Sequence, residues 1–189
     1  MKSLLATAML MLSGAVAAAT PLPATSVLQL SSRFTDQDGK SFVLSDRRGH
    51  VQVVSMFYSS CKFVCPLLID SGLGLDKALT AAERAKLRVL LISLDPARDT
   101  TAALNALATK RKLDRTRWTL ARTDKDGVRK TAALLDVRYR QLADGEFNHT
   151  SGLILLDSEG RILTRTEKLG ATPDPAFLAA VRKALKASK

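Results

Sequence analysis

The run Val51-Gln-Val-Val-Ser-Met-Phe57 leads without a break into Tyr58-Ser-Ser-Cys61-Lys-Phe-Val-Cys65-Pro66. The first part is dense in β-branched and apolar residues, the pattern of a strand buried on both faces. A helix can follow from Pro66 to Leu79, with Pro66 suited to its first turn and Gly72 and Gly74 weakening its interior. Both cysteines of the chain therefore sit between the strongest strand and the mouth of a helix. In an open α/β sheet, the carboxyl ends of the strands are where ligands bind. The backbone donors of a helix N-terminus also favour a thiolate there.

Outward from this junction, Arg88 to Leu94 reads as a second buried strand and Trp118 to Ala121 as a short third. Asp99 or Thr100 can cap a helix running through Lys110, and Asp124 to Leu135 has helical spacing at Val128, Ala132 and Leu135. Phe34 to Leu44 places a glycine turn between apolar flanks, the signal of an N-terminal hairpin. Gly152 to Asp157 and Arg161 to Arg165 form a second hairpin, and Asp174 to Lys186 closes the chain as a helix. This order predicts an α/β, thioredoxin-like three-layer fold with a central mixed sheet and an added N-terminal β-hairpin.

With 189 residues, 46% hydrophobic and 25% charged, the chain can fill one core but not two ordinary domains. Two cysteines exclude a disulfide-stapled mini-protein, a four-cysteine zinc site and a self-sufficient cysteine-ligated iron–sulfur cluster. The N-terminus offers Lys2, an apolar run from Leu4 to Ala19, and then Thr20-Pro-Leu-Pro. That is the form of a cleaved signal peptide over residues 1–19; the competing reading is an uncleaved inner-membrane anchor, for which the run is marginal in length. Residues 20–26 read as a tether and 27–189 as the folded domain. The expected location is the periplasm, with no stable membrane span after cleavage. Removing Lys2 takes the net charge from +11 to +10. Basic and acidic residues alternate along the expected helices, so the charge reads as a solvated surface and no nucleic-acid partner is expected. Nothing in the sequence demands more than a monomer.

The chemistry of the cysteine pair admits two readings. If the segment is helical, residues four apart share a face about one turn apart, roughly 6 Å of rise, so two thiolates could make a soft bite favouring Cu(I) over hard cations. A third ligand is then expected. The alternative is thiol–disulfide exchange, with Cys61 attacking and Cys65 resolving. A structural disulfide across three residues would stabilise little by loop closure. Of the two histidines, His50 follows Arg47-Arg-Gly49 in a turn and reads as a solvated loop residue. His149 lies in Gly145-Glu-Phe-Asn-His-Thr-Ser-Gly152, read as a loop leading into a buried strand. Asp95 is a candidate for supporting the site behind its ligands, Asp99 reads as structural, and Tyr58 reads as core or as a neighbour of the thiols.

Taken together, Tyr58-Ser-Ser-Cys61-Lys-Phe-Val-Cys65-Pro66, Ile92-Ser-Leu-Asp-Pro-Ala-Arg-Asp-Thr100 and His149 before Ser151-Gly-Leu-Ile-Leu-Leu-Asp157 resemble the Sco/SenC copper chaperones of cytochrome c oxidase assembly. The resemblance covers Phe34 to Leu169. It implies that Cys61, Cys65 and His149 hold copper, as Cu(I) and as Cu(II). It also implies delivery to the copper A centre of cytochrome c oxidase subunit II or another periplasmic acceptor, after loading by a copper donor protein. A thiol–disulfide oxidoreductase that keeps client cysteines reduced is the alternative function. Two departures bear on tuning: Asn148 stands where the family commonly has an acidic residue, and a cleavable signal replaces the family's frequent membrane tether. The peroxidase reading finds Tyr58 where peroxiredoxin-like enzymes have threonine.

Overall fold

The computed structural model describes residues 20–61 and 64–188, without the side chains of 64 and 65. The expected signal peptide, residues 1–19, lies outside the described residues. Seven strands form one mixed sheet: β1 (Arg33–Asp36), β2 (Ser41–Val43), β3 (Val51–Phe57), β4 (Leu87–Ser93), β5 (Trp118–Arg122), β8 (Leu153–Leu156) and β9 (Ile162–Thr166). Their order is β2-β1-β5-β4-β3-β8-β9, and two further strands, β6 (Tyr139–Gln141) and β7 (Phe147–His149), pair only with each other. The centre, β3, β4 and β5, is parallel, while β1 and β8 flank it antiparallel. The expected hairpin at the N-terminus is β1–β2, and it extends the sheet at one edge.

All seven residues of β3 are buried because helices cover both faces of the sheet. Side-chain alternation divides the core into two. Val51, Val53 and Phe57 pack with Leu68, Ile69 and Leu75 of α1 (Val64–Ala78), Leu104 of α3 (Thr101–Lys110), and Phe177 and Val181 of α5 (Pro175–Ala187). Val54 and Met56 face the other way, toward Val128 and Ala132 of α4 (Lys125–Leu134) and toward Val27 and Leu28. Ser26, the last residue of the expected tether, is buried and accepts from Leu28 N at 3.2 Å.

The two glycines that lower the helical propensity of α1 have a packing reason. A Cβ at Gly72 would stand 2.4 Å from Trp118 Cη2, and one at Gly74 would stand 2.1 Å from the Ala171 carbonyl oxygen. Behind them, buried Asp76 accepts from Arg117 Nη1 and Nη2 and from Trp118 Nε1, each at 2.9 Å. A short helix absent from the sequence reading, α2 (Ala81–Lys86), is capped reciprocally by Thr80 and Glu83.

Candidate metal and thiol site

The site gathers at the carboxyl end of β3. There Leu94 N donates to Phe57 O at 2.7 Å, holding the end of β3 beside the end of β4, and the chain then turns through Ser59 and Ser60. The turn is fixed from below by Asp99, which is fully buried and accepts from Ser59 N at 3.1 Å on each carboxylate oxygen. Ser93 Oγ donates to Asp99 Oδ2 at 2.5 Å, and Ser59 Oγ donates to Oδ1. Burial raises the Asp99 pKa, and these donors oppose the rise by favouring the carboxylate. Asp99 is thus structural, as expected, but it is Thr100 that caps α3, through Ala103 N.

Cys61 precedes α1, whereas position 65 lies within its first turn. The two cysteines are therefore not on successive turns of one helix, and the expectation based on helical rise does not hold. Cys61 is half-buried and packs against the core cluster that includes Tyr58. The Cys65 side chain lies outside the described residues. Pro66 is the third residue of the helix, where an amide proton would have no intrahelical acceptor.

His149 is not in a loop: it ends β7, opposite Tyr139 across the β6–β7 hairpin. The overlooked signal was Asp144-Gly145 between two short alternating segments, a hairpin turn. His149 is half-buried, and its Nδ1 lies 3.2 Å from the Thr150 carbonyl and 3.3 Å from Ser151 Oγ. A carbonyl only accepts, so Nδ1 carries the proton and Nε2 the lone pair. Burial lowers the His149 pKa, with the Thr150 hydrogen bond opposing, which favours the neutral ring.

Tyr58 joins the two sides. It is buried in the core and borders the thiol as well, so both readings of this residue hold. Its ring meets His149 edge-on at 5.8 Å between centroids and Phe147 at 5.3 Å. Its hydroxyl donates to Glu146 Oε2 at 3.0 Å, and Tyr58 and Cys61 share a side-chain hydrogen bond. Burial first, and the bond with Cys61 second, raise the phenol pKa and keep it protonated.

The structure thus brings both Cys61 and His149 against Tyr58. Among the described residues no three His, Cys, Asp or Glu side chains converge as a metal cluster. His50 is exposed at the opposite end of β3, roughly 20 Å of strand away from the site. Asp95 is buried and reaches the site indirectly, through its ion pair with Arg98. Asn148 is exposed and pairs with Arg140 across the hairpin. Among the described residues no helix is long and apolar enough to cross a membrane.

Comparison with known proteins agrees with this architecture. A relative from Bacillus subtilis (strain 168), described as a SCO1 protein homolog, is 23% identical over 154 residues, which are 80% of this chain and 79% of the relative. A solved protein of Aquifex aeolicus VF5 matches with a TM-score of 0.74 at 18% identity, over 87% of this chain and 95% of its own. The structure of Bradyrhizobium japonicum ScoI with copper bound matches with a TM-score of 0.68 at 22% identity, over 81% and 96%. These likenesses show the expected thioredoxin-like fold. Residues 23–186 match the family model described as SCO1/SenC, and the chain belongs to that family.

Proposed function

We propose that this protein is a periplasmic copper metallochaperone, with copper as its cargo. Cys61 and Cys65 supply thiolates and His149 supplies Nε2, so that soft sulfur suits Cu(I) and the added imidazole admits Cu(II). The observation that carries this reading is the placement of Cys61 and His149 beside one residue, Tyr58, with His149 Nδ1 turned to the Thr150 carbonyl so that Nε2 is left for a metal. Thiol exchange alone needs no imidazole. The family membership and the copper-bound Bradyrhizobium japonicum relative support the same cargo.

Delivery proceeds by ligand exchange to an acceptor, the copper A centre of cytochrome c oxidase subunit II. A half-exposed thiol at the end of a loop suits this, because an incoming ligand can reach copper there while His149 stays in its hairpin. Mixing the copper-loaded protein with the soluble, reduced copper A domain tests delivery. Appearance of the copper A absorption, with loss of copper from the donor, is expected. Copper that stays on the donor while free copper ions load the same domain would overturn the assignment of the acceptor.

One feature favours thiol–disulfide exchange as a second reading. Position 61 lies before the helix and position 65 in its first turn, the placement of an attacking and a resolving thiol. Reduction of the oxidised copper A domain by the metal-free protein would support it. No reduction, under conditions where a thioredoxin control succeeds, would eliminate it.

A further inference from the structure

The hairpin that carries His149 stands apart from the main sheet, and a two-stranded hairpin alone is marginal in water. Aromatic packing holds its strands: Tyr58 against Phe147, and Phe147 against Tyr139 at 6.4 Å. A side chain from the loop after β4 grips the turn itself. Arg98 donates through Nη2 to the Gly145 carbonyl in the hairpin turn, and its Nη1 lies 3.6 Å from Glu146 Oε1. The other carboxylate oxygen of Glu146 accepts from Tyr58.

Arg98 is itself anchored. Its Nε is paired with Asp95, which is buried and whose amide donates to Ser93 Oγ at 2.9 Å. The amides of Arg98 and Asp99 both donate to Asp95 O, at 3.2 and 2.9 Å. Asp99, in turn, holds Ser59 of the cysteine loop. One guanidinium therefore spans the rigid Asp95–Asp99 loop and the turn of the histidine hairpin. Its planar fork can bond in three directions at once, which an ammonium at the same place cannot reproduce.

We propose that Arg98 is a positioning residue, which seats the β6–β7 hairpin on Tyr58 and so fixes His149 beside the cysteine loop before metal arrives. This rests on the reading of His149 as a copper ligand. The sequence signal for it, Asp95-Pro-Ala-Arg98-Asp99, is accounted for by turn and cap chemistry except for the arginine.

The test uses Arg98→Ala and Arg98→Lys beside wild type and His149→Ala, each with two readouts. The first is amide hydrogen exchange in the metal-free protein. In Arg98→Ala, exchange over residues 139–150 should rise roughly tenfold, the scale of one lost charge-assisted hydrogen bond. Protection in β3 and β8 should stay as in wild type, and Arg98→Lys should fall between. Unchanged exchange over 139–150 would overturn the clamp whatever copper does. The second readout is the EPR and thiolate charge-transfer spectrum after Cu(II) addition. Arg98→Ala should move toward His149→Ala, Arg98→Lys should move back toward wild type, and Cu(I) uptake should be unchanged. A wild-type Cu(II) spectrum in Arg98→Ala, where His149→Ala is altered, would overturn the positioning role and leave the ligand reading standing. A wild-type spectrum in His149→Ala itself would overturn the ligand reading, and with it the purpose given to Arg98.

Discussion

The Tyr58 ring stands edge-on to His149, 5.8 Å between centroids, while its hydroxyl reaches Glu146 at 3.0 Å and bonds with the Cys61 side chain. One buried aromatic thus borders both a thiol and an imidazole. Tyr58→Phe keeps the ring and removes only the hydroxyl, so the fold should hold, with a loss of about 1 kcal/mol in unfolding free energy. Cys61 alkylation should change in rate, because its partner is gone. Denaturant unfolding and a timed iodoacetamide reaction check both; an unaltered alkylation rate would show that the hydroxyl does not govern the thiol.

Asp99 is the post on which the cysteine loop rests. Asp99→Ala leaves Ser59 N, Ser59 Oγ and Ser93 Oγ without their acceptor. The expected loss is about 2–3 kcal/mol, measured by denaturant unfolding. The pH dependence has a definite sign. Burial raises the Asp99 pKa, so the folded state holds this proton more tightly than the unfolded one. Stability from this group should therefore fall as pH rises from the ordinary aspartate value through the raised one. Asp99→Asn should lack that component of the profile; parallel wild-type and variant profiles would contradict it.

His149 titrates in the opposite sense to a paired histidine. Burial lowers its pKa, so the neutral ring contributes stability above the ordinary histidine value, and that stability is lost as pH falls through the lowered one. In the metal-free protein its NMR titration midpoint should lie below that of an unfolded-chain histidine. His50 is also shifted down, by local desolvation and then by Arg88 and Arg47, so His50→Ala is needed to assign the two signals. A His149 midpoint at or above the ordinary value would contradict the described burial.

Gly72 and Gly74 separate propensity from packing. Propensity alone predicts that alanine at either site gains roughly 1 kcal/mol of helix stability. The contacts predict the reverse, with Gly74→Ala losing about 1–3 kcal/mol because its obstacle is the Ala171 backbone. The sign of the change in thermal midpoint decides between them.

The parts legible in the sequence were those written as periodicity. Val51–Phe57 and Leu87–Ser93 are covered on both faces, and a continuous apolar run states that directly. The cysteine pair, His149 and Asp99 stood out by residue type and position. What the sequence reading missed was short or tertiary. Tyr139–Gln141 and Phe147–His149 are only three residues each, too brief for alternation to register, so the Asp144-Gly145 turn was their one clear mark. Gly72 and Gly74 read as helix weaknesses because Trp118 and Ala171 are distant in the chain. Arg98 looked like any surface arginine, since its partners Gly145 and Glu146 lie some fifty residues on.

The most direct test of the central claim is anaerobic copper titration of the reduced protein, wild type beside His149→Ala, followed by absorption and EPR spectra on adding Cu(II). A one-to-one complex with a thiolate-to-copper charge-transfer band, altered or lost in the variant, is the predicted result. Oxidation of Cys61 and Cys65 to a disulfide by Cu(II) in both proteins, with no bound copper, would contradict the chaperone and favour thiol exchange.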